Sequence, residues 1–333
     1  MSPARAIRFS GRAIVTVLLV WMAASCVDAP RDYRGDAPPR FVDRPLPRPE
    51  RPIVALALGS GGPRVYAQIG VLRAFDEADI PIDLIVGTSG GAIIGALYAA
   101  GYSGAEITEM ALSRTPWSFL DLAISDYGYV RGDTLERFIR EHVEDRRIEA
   151  LKIPFAAIAT HVESGTQEIF NRGDTATAVR ASAAIPGVFF PVRIEGEHYV
   201  DGELVSPVPI RVARRLGAEI VIAVDVQARL EEAPLMPKYP TEWLVYGTLR
   251  RALIDAEVDD ATIMVQPALD YLAGASEAYR RRAIELGYEA GVKAVAMIRE
   301  RIEEGTAEKK QARWQSPTLL RTRPPVALAV DRR

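Results

Sequence analysis

The residues best suited to chemistry are Gly87-Thr88-Ser89-Gly90-Gly91, a G-x-S-x-G run between an apolar segment, Ile82 to Val86, and a small-residue segment, Ala92 to Ala100. Placed between a buried strand and a helix, such a serine sits on a tight turn that lifts its hydroxyl off the sheet edge. Gly87 and Gly91 relieve the crowding of that backbone. A helix starting beneath Ser89 favours negative charge developing there. The chemistry expected is acyl transfer with Ser89 as nucleophile. The competing reading is a glycine-rich turn that binds a phosphate or only turns.

A serine hydroxyl is a weak nucleophile and needs a base. The three histidines are His142, in a charged helical stretch, His161, after a strand, and His198, beyond which none follows. The chain order Ser, acid, His of an α/β-hydrolase triad is therefore poorly supplied, and a dyad is expected instead. The candidate base is Asp201 in His198-Tyr199-Val200-Asp201-Gly202-Glu203, closing a short strand ahead of Pro207 and Pro209. Taken alone, Asp201-Gly202 reads equally well as an ordinary turn.

A third group, Gly59-Ser60-Gly61-Gly62-Pro63-Arg64, follows the first apolar run. Its backbone N–H groups suit an oxyanion hole, where each donor is typically worth about 10²–10³ in rate. A dinucleotide fingerprint fails at Arg64, and no G-K-[ST] follows for a phosphate loop. Trp117 to Tyr129 is aromatic and irregular, and reads as core or as a lipid-facing lid over an acyl pocket. Arg280-Arg281-Arg282 reads as the solvated face of a helix, with a role at an anionic lipid surface as the weaker alternative.

The elements that must position these groups alternate in type. Ile53 to Leu58 is a continuous apolar run, the pattern of a strand buried on both faces. Further strands are expected at Phe155 to Thr160, Ile220 to Val226 and Ile263 to Val265. Helices are expected at Thr134 to His142, Val208 to Leu216, Thr241 to Glu257 and Glu277 to Glu304, and Ser103 with Glu106 forms a capping box. The alternation predicts an α/β fold with a largely parallel sheet covered on both faces. The expected organisation is a processing segment at 1–25, a Pro-rich linker at 26–52, one hydrolase domain at 53–304 and a polar, poorly ordered tail at 305–333.

The formal net charge of -3 over 333 residues argues against a strongly basic nucleic-acid-binding surface. A single cysteine excludes an internal disulfide. One cysteine and three histidines leave too few soft ligands for the usual zinc cluster, so no metal and no cofactor are expected. At the N-terminus, Arg5, Arg8 and Arg12 precede an apolar run, Ala13 to Ala24, that falls short of the roughly 20 residues a spanning helix needs. Ala23-Ala24-Ser25 then leads to Cys26, the only thiol. This arrangement resembles a bacterial lipoprotein signal, although Ala23 replaces the more usual leucine. The resemblance implies export, lipid attachment at Cys26 and a membrane-anchored lipoprotein of the cell envelope that faces the periplasm. Ordinary signal cleavage leaving a free thiol is the alternative.

Together, Gly59 to Leu72, the Gly87 to Gly91 elbow, and Ala181-Ser182-Ala183-Ala184-Ile185-Pro186-Gly187 leading to Asp201-Gly202 resemble the patatin-like phospholipase family, in order and context, across about Ile53 to Glu304. The resemblance implies a three-layer α/β/α patatin-like fold with a mostly parallel central sheet, and a Ser–Asp dyad without a catalytic histidine or metal. It implies Ser89 as nucleophile and Asp201 as proton acceptor, with Gly61, Gly62 and Arg64 at the oxyanion hole. The substrate class implied is a lipid or other acyl ester, hydrolysed as by a phospholipase A, lysophospholipase or carboxylesterase. The glycine loop departs from the family pattern at Ser60, Val65 and Gln68, which replace Gly, Gly and His, and Pro63 has no N–H to donate. Those changes support one alternative, a catalytically impaired lipid-binding or interaction module.

Overall fold

The computed structural model of the chain describes residues 29–30, 32–33, 35–227, 241–269 and 273–315. Cys26 and the segment before it lie outside them. The expected run at Ile53 forms β2 (Val54–Leu58), buried throughout. Its alternate side chains serve opposite faces: Val54, Leu56 and Leu58 join one apolar cluster, Ala55 and Ala57 the other. A strand that must satisfy two cores has no polar face to show.

After β1 (Asp32–Tyr33) and β2 come α1 (Tyr66–Glu77), β3 (Leu84–Thr88), α2 (Gly90–Ala100), α3 (Gly104–Ser113), the hairpin β4 (Leu122–Ser125) and β5 (Gly128–Val130), α4 (Asp133–His142), β6 (Phe155–His161) and β7 (Gln167–Phe170). There follow α5 (Thr175–Ser182), β8 (Val192–Ile194), β9 (Glu197–Asp201), α6 (Ile210–Arg215), β10 (Ile220–Val224), α7 (Thr241–Glu257), β11 (Ile263–Val265) and α8 (Glu277–Gln315). The main sheet runs β1-β8-β9-β6-β3-β2-β10-β11, with β7 also on β6. Strands β6, β3, β2, β10 and β11 are mutually parallel. Phe75, Leu97, Val179 and Ile298, from α1, α2, α5 and α8, join the cluster on one face; Ile210, Val212 and Ile254, from α6 and α7, join the other. The architecture is the expected three-layer α/β fold with a mostly parallel sheet.

Ser103 caps α3 as expected: Glu106 N–H donates to its Oγ at 3.2 Å, and Ser103 N–H donates to Glu106 Oε2 at 2.8 Å. Two segments differ from expectation. Helix α8 passes through Gly305 and continues to Gln315, because tertiary contacts hold it: Gly305 lies against Pro52, and Lys309 Nζ donates to Arg51 O at 3.0 Å and Glu219 Oε2 at 2.7 Å. The described part of the Pro-rich linker lies along the domain instead of standing off it. Asp32 and Tyr33 pair in parallel with β8, Arg40 N–H donates to Arg172 O at 2.9 Å, and Asn171 bonds both the N–H and the carbonyl of Val42. An extended polar segment satisfies its backbone on a sheet edge without needing apolar periodicity.

Candidate active site

Strand β6 explains why Ser89 and Asp201 meet. Along it, Ile85–Thr88 of β3 pairs with Phe155–Ile158, and Asp201–Tyr199 of β9 pairs with Ala159–His161. Strand β7 overlaps both sets at Ala157–Thr160 and so takes the opposite edge. Strands β3 and β9 therefore share one edge of β6, and their C-terminal ends abut head to head. Ser89 is the residue after the first end; Asp201 is the last residue of the second.

The Ser89 hydroxyl donates to Asp201 Oδ2 at 2.6 Å, with both side chains buried. Ser89 has φ 57 and ψ -126, a conformation a non-glycine residue holds only when its surroundings over-determine it. Those surroundings include Gly91, where any side chain would collide with the Leu58 carbonyl. The Ser89 N–H is held by Ser182 Oγ at 2.9 Å, and Thr88 Oγ1 donates to Ser206 O at 2.9 Å. Ser89 also occupies the N-cap of α2, whose dipole stabilises negative charge.

Asp201 is fastened on every side. Its N–H donates to Ala184 O at 3.0 Å, its carbonyl accepts from Thr160 Oγ1 at 2.7 Å, and its Oδ1 accepts the Glu203 N–H at 2.8 Å. Burial, aided by repulsion from Glu203, pushes its carboxyl up to about 8, against the lowering effects of the Ser89 hydroxyl, the Glu203 N–H and Arg250. Arg250, from α7, pairs with Glu203 and so tempers that repulsion. A carboxylate with a free-chain pKa near 3.9 would be a feeble base; this environment raises its basicity.

In the glycine loop, the N–H groups of Gly59 and Ser60 are spent on Val224 O and Pro207 O, at 3.1 and 2.8 Å. The Arg64 N–H donates to Gly61 O at 3.0 Å, closing a 3-10 turn over Gly62–Val65. Those of Gly61 and Gly62 have no hydrogen bond among the described residues and remain available to an oxyanion. Gly62, at φ 52, and Ser89 both line a cavity of about 260 Å³. Its walls are almost wholly apolar and include Ile94, Leu97, Met110, Phe138 and Phe189. Trp117, Leu122 and Tyr129, from the segment that also gives the cavity Phe119 and Leu120, are 66%, 72% and 69% exposed, so the aromatic segment is a rim and not core. The histidines lie elsewhere: His142 Nδ1 meets Phe138 O at 2.7 Å, and His161 and His198 contact Glu197 and Glu163.

Residues 56–214, which contain the elbow, the glycine loop and Asp201, match the family model described as patatin-like phospholipase. This segment is similar to the patatin-like phospholipase family. An uncharacterized NTE family protein of Mycobacterium tuberculosis is 38% identical over 198 residues, 58% of this chain and 55% of that protein. Patatin-like phospholipase domain-containing protein 7 of Rattus norvegicus is 36% identical over 186 residues, 54% of this chain and 14% of that protein. The chain thus spans about half the length of the mycobacterial relative. Among solved structures, VipD from Legionella pneumophila aligns with a TM-score of 0.45 and 12% identity, covering 78% of this chain and 71% of that one.

The positions at which the loop departs from the patatin-like pattern each have a structural counterpart. Ser60 is fully buried, and Gln227 Nε2 donates to its carbonyl and its Oγ at 2.7 and 2.6 Å. Gln68 Nε2 donates to Gly59 O at 2.6 Å. Val65 packs on Gly90, where an added side chain would strike it. Pro63 lies in the first turn of the 3-10 segment, where a missing N–H costs nothing. Sequence reasoning assigned no role to Ser182, Thr160, Gln227 or Arg250. Ser182 lies in a block already quoted for the family resemblance; the others carry no local pattern and act only through tertiary contact.

Proposed function

We propose that this chain is a serine lipid acyl hydrolase that works through a Ser89–Asp201 dyad and an acyl-enzyme. The reading rests chiefly on the 2.6 Å contact from the Ser89 hydroxyl to a buried carboxylate, beside an apolar cavity. Asp201 takes the proton as Ser89 Oγ attacks the ester carbonyl. The N–H groups of Gly61 and Gly62 and the α2 dipole receive the negative charge on the carbonyl oxygen. Asp201 returns the proton to the leaving alcohol, and water then repeats the cycle on the acyl-enzyme. The apolar walls suit a fatty acyl chain, which supports phospholipids, lysophospholipids and related carboxylic esters as the substrate class.

The same proposal places the enzyme at a membrane, carried by a lipid on Cys26. A fluorophosphonate probe tests the catalytic part, because only an activated serine reacts. The wild type should label and hydrolyse p-nitrophenyl esters; Ser89→Ala should lose labelling, and Asp201→Asn should lose at least about 10³-fold in turnover. An unlabelled, inactive wild type would instead favour the impaired binding module.

A further inference from the structure

We propose that the outer end of the β6–β9 pair binds one zinc-type divalent cation, with His161 Nε2 and one carboxylate oxygen each from Glu163 and Glu197 as its protein ligands. His161 ends β6, Glu163 lies on the turn just beyond it, and Glu197 opens β9. The antiparallel register His161↔Tyr199 brings the three together. The scarcity of cysteine and histidine excludes the usual zinc cluster, but not a site at which carboxylates supply two of the ligands.

The spacing suits such an ion. His161 Nε2 stands 3.1 Å from Glu197 Oε2 and 3.6 Å from Glu163 Oε2, and one ligand atom from each residue falls within 4.8 Å of the others. Ligands held tetrahedrally at 2.0–2.1 Å from zinc are about 3.3 Å apart. Small side-chain shifts would seat the ion, with water in the fourth position. Metal-bound groups are normally oriented by outer partners, and this cluster has them. His161 Nδ1 lies 2.8 Å from Ser164 Oγ and accepts the Ser164 N–H at 3.3 Å; an ion at Nε2 would require the other tautomer, with Nδ1–H donated to Ser164 Oγ. The other oxygen of Glu163 lies 2.7 Å from His198 Nδ1.

Charge points the same way. Glu163, Glu168, Glu195 and Glu197 all act on the Tyr199 hydroxyl, a local excess of negative charge. Glu163 and Glu197 are about half exposed, open to an ion from solution. An imidazole in the set selects zinc-like metals over calcium or magnesium. The ion would staple the two strands behind the dyad without touching it, since Thr160, next to His161, holds the Asp201 carbonyl.

The test uses the full chain, freed of metal and titrated with Zn²⁺ by calorimetry, and with Co²⁺ as a visible spectroscopic probe. One equivalent should bind, Co²⁺ should show the absorption of a four-coordinate site, and Zn²⁺ at about 100-fold over its Kd should raise the melting temperature by about 5 °C. His161→Gln and Glu197→Gln should each abolish that step, and His198→Ala should weaken it about 10–100-fold. His142→Gln should leave it intact. Circular dichroism and ester turnover report whether each variant is folded. No one-equivalent binding, or unchanged affinity in folded His161→Gln and Glu197→Gln, overturns the proposal and leaves the cluster as histidine–carboxylate pairs. Because the readout is metal affinity, it stands apart from the outcome for Ser89.

Discussion

As the proposed base, Asp201 has two duties that oppose each other. A base must be ionised to take a proton, yet burial favours the neutral carboxyl and pushes it up to about 8. Turnover is therefore expected to rise with pH through about 8 and level off above it; a kcat/KM profile on a soluble ester checks this, and a profile flat from pH 5 to 9 contradicts it. The same shift bears on stability. A carboxyl whose folded pKa lies above its unfolded value binds its proton more tightly in the native state, so native stability falls as pH climbs from about 4 to about 8. At about 1.4 kcal/mol for each unit, the loss above pH 8 is on the order of 5 kcal/mol. Asp201→Asn cannot ionise and should escape that loss. Thermal melts should show the variant well above the wild type at pH 9 and level with it near pH 4. The dyad is thus expected to be a place where function is held at the expense of the fold.

At the scale of elements, what could be read locally was read. Strands β2, β3, β10 and β11 are legible because two apolar clusters demand side chains from both faces, leaving a continuous apolar run. Strand β9 is legible only as a short strand closing at Asp201, with no periodicity to mark its start: Glu197-His198-Tyr199 is open on the outer end, and only Val200 and Asp201 are buried. Strand β1 is two residues of a Pro-rich segment that owe their order to the β8 edge, and α8 outlasts Gly305 because Pro52 packs on it. For the site, Ser89 and Asp201 sit in motifs, but their meeting depends on β3 and β9 ending head to head on β6, which no local pattern encodes. The glycine loop gives the matching prediction. Gln68 uses one bond, from its Nε2 to Gly59 O, while its Oε1 is buried without a partner. Gln68→Ala leaves that carbonyl unpaired, which costs about 1–3 kcal/mol, and loosens the loop at its root. In the proposed mechanism the loop binds charge that exists only in the transition state, so kcat should fall roughly 10–100-fold with KM little changed. Gln68→His, the residue of the patatin-like pattern, should retain most of the rate if its ring N–H reaches the same carbonyl. A rise in KM at constant kcat would mean that Gln68 shapes the acyl cavity instead.

For the whole molecule, the proposed function raises the question of how an acyl chain leaves a lipid aggregate for a cavity lined by Ile94, Leu97 and Phe138. Among the described residues no helix is long and apolar enough to cross a membrane; in the proposed function, approach is by surface and tether. The rim offers Trp117, Leu122 and Tyr129 in the segment that borders the cavity, and a tryptophan or tyrosine with one wet end suits the boundary between headgroups and hydrocarbon. The tether, if Cys26 carries lipid, is short. Asp32 is paired with β8, and the chain length from Cys26 to Asp32 reaches at most about 20 Å at the 3.3–3.6 Å that each residue spans. Such a leash holds the domain close to the surface and raises its effective concentration there. The two contributions separate by experiment. Cys26→Ser should abolish palmitate labelling in cells and move the protein to the soluble fraction, with the rate on a soluble ester untouched. Trp117→Ser with Tyr129→Ser should cut turnover of phosphatidylcholine vesicles about 10-fold or more, whether or not Cys26 is present, and again spare the soluble ester, because neither side chain lines the cavity. If the rim variant loses both activities equally, the aromatic segment supports the active site rather than the lipid surface; if it loses neither, the chain reaches its substrate by another face.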